Sequence, residues 1–178
     1  PLAEAEVVSL AINMLEACGL ADYEVRIGHV GVLRDILSGL GLPSEGEPEA
    51  PIASAMRLLD KADWDGLAEL FSANRVEASA LENMKSIAQL DGGIETLDSA
   101  RKILTALGVS HESLDELSEL LSAISSLAPS PPSLKVNLCV ARGLDYYTGM
   151  VFEVNVAELG GEGQVLGGGS YKLLHLFG

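Results

Sequence analysis

The amino-acid sequence predicts an α+β fold, in which a body of helices and strands carries an inserted helical module. Two β-rich stretches with alternating apolar residues, YEVRIGH at 23–29 and MVFEVNVA at 150–157, indicate strands with one buried face. Between them, residues 52–127 repeat apolar side chains at helical intervals. Hydrophobic residues make up 48% of the 178 residues, so the chain is long and apolar enough for a sizeable core.

Residues 1–43 are predicted to form a helix, a strand and a second helix. The first helix spans 3–18 and is expected to stop at Gly19, because glycine tolerates the left-handed conformation that often follows a helix. The strand at 23–29 leads into the second helix, and His29 at the joint is expected either to cap that helix or to line a cleft. The predicted apolar face of the first helix consists of Val7, Leu10, Ala11, Met14 and Leu15.

Residues 52–127 are predicted to be helical, without a strand. Linkers rich in proline at 42–51 and 128–133 separate this helical module from the rest of the chain. Within the module, Thr96 is expected to cap a helix that closes at Gly108. The basic residues here are dispersed among acids, a pattern typical of a solvated helical face.

Residues 134–178 are predicted to return to strands. LKVNLCVA and MVFEVNVA are expected to pair as a β-hairpin or as neighbouring antiparallel strands. GQVLGGGSY, at 163–171, is expected to add a short strand that ends in three glycines, and KLLHLFG, at 172–178, to begin a helix.

The charge balance argues against general nucleic-acid binding. Eleven lysines and arginines face 26 acids, for a formal net charge of −15, so any contact with a phosphate backbone needs a local basic patch. No apolar run reaches 18 residues and no signal peptide is visible, which predicts a cytoplasmic protein without membrane contact. Cys18 and Cys139 are expected to be buried free thiols, and the histidines have no metal-site spacing, so no metal is predicted.

Two short stretches carry residues suited to a small-molecule site. Arg142 presents a rigid fork that binds a carboxylate or phosphate, and adjacent Tyr146 and Tyr147 on a strand point to opposite faces. One ring then packs in the core while the other faces a pocket. The glycines at 167–169 allow a ligand to approach the backbone. The residues leave a second interpretation open, in which both stretches are ordinary turns and Arg142 pairs with Asp145 at the surface.

The same stretches resemble the histidyl-tRNA synthetases, which are class II aminoacyl-tRNA synthetases. ARGLDYYTGMVFEV, at 141–154, is similar to that family's RGLDYYTG segment, and GGGSYKLLHLFG, at 167–178, to its GGGRYD segment. The resemblance implies part of a class II synthetase-like antiparallel sheet with flanking helices, plus an inserted all-helical module. The expected division is catalytic core at 1–43, helical insertion at 52–127 and catalytic core again at 134–178.

The resemblance also implies an activity, substrates and residue roles. Family members join histidine and ATP into histidyl-adenylate and pyrophosphate and then transfer the histidyl group to tRNA(His). The expected catalytic residue is Arg142, which would face the histidine carboxylate and the α-phosphate. The expected histidine-binding residues are Tyr146, Tyr147, Tyr171, Gly167, Gly168 and Gly169. ATP and Mg²⁺ are expected in a full-length homodimer, and neither is expected to bind tightly to this piece.

Departures from the family pattern leave a second function open. Ser170 stands where the family usually has arginine, Lys172 stands where it usually has aspartate, and the ATP-binding motifs are not in this sequence. This piece alone is therefore expected to be inactive. The alternative is the histidine-sensing regulatory subunit of ATP phosphoribosyltransferase, a paralogue that charges no tRNA. IGHVGVLR, at 27–34, resembles that group or the archaeal synthetases more than the bacterial synthetases. A non-enzymatic helical module on an α/β stub is the third possibility.

Overall fold

The computed structural model describes residues 1–43, 51–128, 133–140, 146–156 and 163–171. The predicted catalytic Arg142, Lys172, the predicted helix at 172–178 and the centres of both linkers lie outside these residues. The described helices are α1 (Leu2–Ala17), α2 (Val30–Gly39), α3 (Pro51–Asp60), α4 (Trp64–Ala73), α5 (Ser79–Ala88), α6 (Thr96–Leu107) and α7 (Glu112–Leu127). The described strands are β1 (Tyr23–His29), β2 (Asp91–Gly92), β3 (Leu134–Asn137), β4 (Tyr147–Val156) and β5 (Gln164–Tyr171).

The described strands form one sheet in the order β2-β3-β1-β4-β5. Strand β1 runs antiparallel to β4 and parallel to β3, while β2 pairs antiparallel with β3 and β4 pairs antiparallel with β5. The predicted α+β class is confirmed. The pairing of LKVNLCVA with MVFEVNVA was wrong, because β1 lies between β3 and β4. A continuous apolar stretch fits a neighbour from a distant segment as well as one from the next, so periodicity alone does not choose the partner.

One face of the sheet is buried against helices. Alternate residues of β1 and β4 that are direct partners, such as Val25 with Val154 and Ile27 with Phe152, point to this core face. Helices α1, α2 and α7 cover it. Helix α7 contributes an almost fully buried apolar row, consisting of Leu114, Leu117, Leu120, Leu121 and Ile124. The last helix of the predicted module, α7, therefore packs both on the sheet and against α1.

Helix α1 buries a different face from the predicted one. Ala11 and Leu15 are buried as expected, but Val7, Leu10 and Met14 are more than half exposed. The buried row also includes Ala5, Val8 and Ile12. The helix is apolar around most of its circumference, so two helical stripes satisfy the same spacing and the sequence does not show which one meets the sheet.

The helical module contains a short strand that the sequence analysis did not predict. Strand β2 joins the sheet edge through the register Asp91–Asn137 and Gly92–Val136. Thr96 is the first residue of α6 and not its cap, which is Glu95. The predicted end at Gly108 is confirmed, since this glycine has φ = +67° in the left-handed region.

The environments of the two cysteines differ. Cys139 is partly buried, and burial raises the pKa of its thiol to about 12. Cys18 is exposed, so its predicted burial was wrong: it is the C-cap residue that directly follows α1. No described helix is long and apolar enough to cross a membrane.

Candidate functional site

Three tyrosines meet where β4 begins and β5 ends. Tyr147 and Tyr171 are direct partners in the β4–β5 ladder. Tyr146 contacts both of them: its ring centroid lies 4.6 Å from that of Tyr147 and 5.8 Å from that of Tyr171, the latter pair edge to face. Edge-to-face and tilted rings at these separations attract each other. We call Tyr146, Tyr147 and Tyr171 the tyrosine cluster.

The tyrosine cluster has one buried ring and two accessible rings. Tyr147 is 8% exposed and packs with Val30 and Val151, whereas Tyr146 is 40% and Tyr171 58% exposed. The prediction that one ring of the Tyr146–Tyr147 pair is buried and the other accessible is confirmed. The reason given for it was wrong, because Tyr146 precedes the strand and its ring lies against that of Tyr147, tilted by 50°, instead of pointing to the opposite face.

The strand expected at 163–171 is confirmed as β5, which includes the three glycines and continues to Tyr171, so the second interpretation of these glycines as an ordinary turn was wrong. A Cβ atom on Gly169 would lie 2.7 Å from the Met150 carbonyl oxygen and from Cδ1 of Tyr147. A Cβ atom on Gly168 would point the other way and lie 2.9 Å from the Phe152 ring. The missing side chain at Gly169 therefore leaves space for the Tyr147 ring on one face of β5. The missing side chain at Gly168 leaves space for the Phe152 ring on the core face.

Ser170 and Glu4 connect strand β5 to helix α1. The Ser170 hydroxyl donates a short hydrogen bond to Oε1 of Glu4, in the first turn of α1. Burial by itself raises the pKa of Glu4, but the hydrogen bonds from Ser170 and from the Pro1 amine outweigh it and leave the pKa below its ordinary value. Neither residue of this contact was paired in the sequence analysis, because 166 positions separate them.

His29 caps helix α2 and is buried. Its Nδ1 accepts a hydrogen bond from the Gly31 N–H at 3.1 Å, which confirms the first of the two predicted roles. Its Nε2 lies 3.3 Å from Oε2 of Glu116 on α7. Burial lowers the pKa of His29 below its ordinary value, although the Glu116 carboxylate opposes this shift.

A charged network lies on the other face of the sheet. The Glu24 carboxylate accepts from Nε of Arg26 and from Nζ of Lys135, both at 2.6 Å, and both cations lie within 4 Å of Asp91. The network joins β1, β3 and β2 at one edge. Burial raises the pKa of Glu24, but the two cations outweigh it and hold the pKa below its usual value. The charged residues that alternate with apolar residues along β1 are the sequence feature that indicates this polar face.

The structure brings five of the predicted histidine-site residues into one place. Tyr146, Tyr147, Tyr171 and Gly169 touch or face one another, and Gly168 supports them from the core side. Gly167 lies further along β5, opposite Glu153. The described residues contain no group of three or more histidines, cysteines or acids arranged to hold a metal ion.

Comparison with known proteins identifies close relatives in sequence. The family described as histidyl-tRNA synthetase matches residues 1–178. The histidine–tRNA ligase of Archaeoglobus fulgidus is 37% identical over 177 residues, which cover 99% of this chain. They cover only 39% of that relative, so the chain spans well under half the length of the curated protein it matches.

Solved structures share the fold. The histidyl-tRNA synthetase from Nostoc sp. PCC 7120 superposes with a TM-score of 0.83 at 21% identity, over 96% of this chain and 40% of that one. A Bacillus halodurans protein named as an ATP phosphoribosyltransferase regulatory subunit/histidyl-tRNA synthetase gives a TM-score of 0.74 at 24% identity, over 97% of this chain and 43% of that one. At these identities the likeness concerns the fold alone.

Proposed function

Because the chain belongs to the histidyl-tRNA synthetase family, we propose that it forms part of the catalytic domain of a longer histidine–tRNA ligase. The observation that supports this most is the tyrosine cluster on the glycine strand, Tyr146, Tyr147 and Tyr171 against Gly169. In this proposal the cluster is one wall of the histidine site. The three-part division at 1–43, 52–127 and 134–178 belongs to the same proposal.

The chemistry of the cluster suits an imidazole ring. Tyr171 and Tyr146 offer exposed aromatic edges and hydroxyl groups, while buried Tyr147 supports them from behind. A hydroxyl that donates to or accepts from an imidazole nitrogen distinguishes histidine from apolar amino acids, since an unmatched polar group in a closed site is costly. Gly167 carries no side chain that would meet a substrate backbone lying along the strand.

Arg142 completes the proposed site as its catalytic residue. It follows the last residue of β3 by five positions in the sequence and precedes Tyr147 by five. A guanidinium fork binds a carboxylate and a phosphate with matched geometry, and it stabilises charge that develops between them during adenylate formation.

ATP, Mg²⁺ and tRNA(His) are proposed as ligands of the longer protein. For ATP and Mg²⁺ the proposal rests on the family, since the described residues contain no group of three or more histidines, cysteines or acids arranged to hold a metal ion. The net charge of −15 gives this chain no general attraction for a phosphate backbone. Contact with tRNA(His) and the formation of a homodimer therefore rest on the family.

The regulatory alternative shares the fold but has less support. A structure whose name includes the regulatory subunit superposes well, yet the 37% identical relative is a histidine–tRNA ligase. One reaction distinguishes the two functions. A ligase charges tRNA(His) with labelled histidine, whereas a histidine sensor binds the amino acid and charges nothing.

The test is histidine-dependent ATP–pyrophosphate exchange by the full-length protein. We expect exchange with histidine and loss of it in Arg142→Ala. Tyr171→Leu is expected to raise the KM for histidine about tenfold, because it removes an aromatic contact and a hydroxyl. Val165→Ala, an exposed residue of the same strand, is the matched control and should leave the KM unchanged. Exchange that survives Arg142→Ala unchanged overturns the catalytic role.

A further inference from the structure

We infer that Ser170 and Glu4 form a positioning pair that fixes the end of β5 and, through it, the Tyr171 ring. This inference rests on the proposed function, because it concerns the same histidine site. Ser170 lies between Gly169 and Tyr171, and side chains alternate along a strand, so Ser170 points to the side opposite these two residues. Its hydroxyl there reaches Glu4 of α1.

The hydrogen bond is charge-assisted. Ser170 donates to Oε1 of Glu4, and Oε2 of Glu4 lies 3.1 Å from the Pro1 amine. Although burial by itself raises the pKa of Glu4, the hydrogen bond from Ser170 lowers this pKa and so favours the carboxylate as the acceptor. Hydrogen bonds to ionised acceptors are shorter and stronger than neutral ones. In a longer protein, in which another residue precedes Pro1, the proline nitrogen carries no hydrogen. Ser170 is then the donor to Glu4 that remains.

Strand β4 lies against one side of the pair. A Cβ atom on Gly149 would lie 3.1 Å from the Ser170 Cβ and 3.7 Å from Oε1 of Glu4. The absence of a side chain at Gly149 lets the contact form, and the close backbone leaves the two polar groups little room to rearrange. The first turn of α1, the start of β4 and the end of β5 therefore meet at one point.

The hydrogen bond between Ser170 and Glu4 restrains an end of strand β5 that the sheet by itself holds less firmly. It is an edge strand of the described sheet, and its ladder with β4 is irregular between the Tyr147–Tyr171 and Val151–Gly169 pairs. An irregular, glycine-rich edge strand holds its side chains less firmly than a central strand does. Because Tyr171 directly follows Ser170, the bond to Glu4 limits the positions that the exposed ring can take.

The test uses four variants of the full-length protein in histidine-dependent exchange. Ser170→Ala and Glu4→Ala are each expected to raise the KM for histidine about tenfold, the effect of losing one hydrogen bond to a charged group. The KM for ATP and the kcat should change by less than about twofold. Ser170→Thr keeps the hydroxyl and should restore a wild-type KM. The double variant should be no worse than either single one, because both remove the same bond.

Two comparisons make the outcome decisive. Ser86→Ala, which removes a hydroxyl that bonds only within helix α5, should leave every constant unchanged. Ser170→Ala with a wild-type KM for histidine, or with the KM for ATP and kcat changed equally, overturns the positioning role. If Ser170→Ala does not fold, Glu4→Ala supplies the same readout. A wild-type protein without histidine-dependent exchange instead overturns the proposed function, and the inference with it.

Discussion

Replacing Gly169 by alanine is expected to weaken histidine binding by the full-length protein, because the added methyl group meets two neighbours at once. The new Cβ would lie 2.7 Å from the Met150 carbonyl oxygen and 2.7 Å from the Tyr147 ring. Ordinary contacts between such atoms are about 3.5 Å or longer. The ring, the strand or both must therefore move by about 0.8 Å, the difference between these distances.

The same displacement sets the size of both effects. Overpacking of this kind costs about 1–3 kcal/mol of unfolding free energy, and a carbonyl oxygen of the neighbouring strand gives way less easily than a side-chain end. A misplacement of about 1 Å in a substrate-contacting group lowers enzyme efficiency by up to about 100-fold. We therefore expect kcat/KM for histidine to fall between about 10-fold and 100-fold.

Gly168→Ala is the matched control. Its Cβ would press on the Phe152 ring at 2.9 Å, on the core side of the same strand, and not on Tyr147. Both variants should lower the free energy of unfolding in urea, Gly168→Ala by somewhat less because its Cβ meets a side chain and no backbone carbonyl, while only Gly169→Ala should lower kcat/KM in the exchange assay by tenfold or more. Equal losses of kcat/KM in the two variants would refute the argument, since the effect would then follow stability and not the position of Tyr147.

Four further results are expected from the 178-residue chain. Burial lowers the pKa of His29, so neutral His29 contributes to the free energy of unfolding. This contribution is complete above the ordinary pKa of 6.5 and is lost as the pH falls through that value toward the folded pKa. Urea unfolding at about pH 7.5 and 5.5 should thus show a larger loss in wild type than in His29→Asn, which keeps a capping oxygen. A thiol reagent at neutral pH should label exposed Cys18 quickly and Cys139 slowly, since the latter has a pKa of about 12; equal rates would contradict the burial. Gly108→Ala should cost about 1–2 kcal/mol of unfolding free energy, because Gly108 has φ = +67°. Leu117→Ala should cost about 2–5 kcal/mol in the same measurement, as this side chain is fully buried.

Local patterns predicted most of the secondary structure. The alternation at 23–29 gave β1 with the observed bounds, and Gly19 and Gly108 marked the ends of α1 and α6. These features depend on the conformational preferences of a few adjacent residues, which the sequence displays directly.

Features that depend on distant residues were not predictable in the same way. The buried stripe of α1, the insertion of β1 between β3 and β4, and the two-residue strand β2 all depend on which surfaces meet in the folded chain. For α1, two apolar stripes compete, and only packing against the sheet selects the one that contains Val8 and Ile12. A two-residue strand such as Asp91–Gly92 is too short to show any periodicity.

The candidate site shows the same division. Tyr147 and Gly169 were recognised from short segments, and the structure shows why they belong together: the glycine leaves the space that the ring occupies. The contact between Ser170 and Glu4 carried no sequence signal, since a serine and a glutamate at opposite ends of the chain have no local relation. Arg142 lies outside the described residues, so its catalytic role stays a prediction.

A crystal structure of the full-length protein with histidine tests the central proposal most directly. The account predicts the imidazole ring against Tyr171 and the accessible edge of the tyrosine cluster, with the amino-acid backbone above Gly167–Gly169 and its carboxylate toward Arg142. Histidine bound elsewhere, with the tyrosine cluster unchanged and facing only solvent or other protein groups, would contradict it.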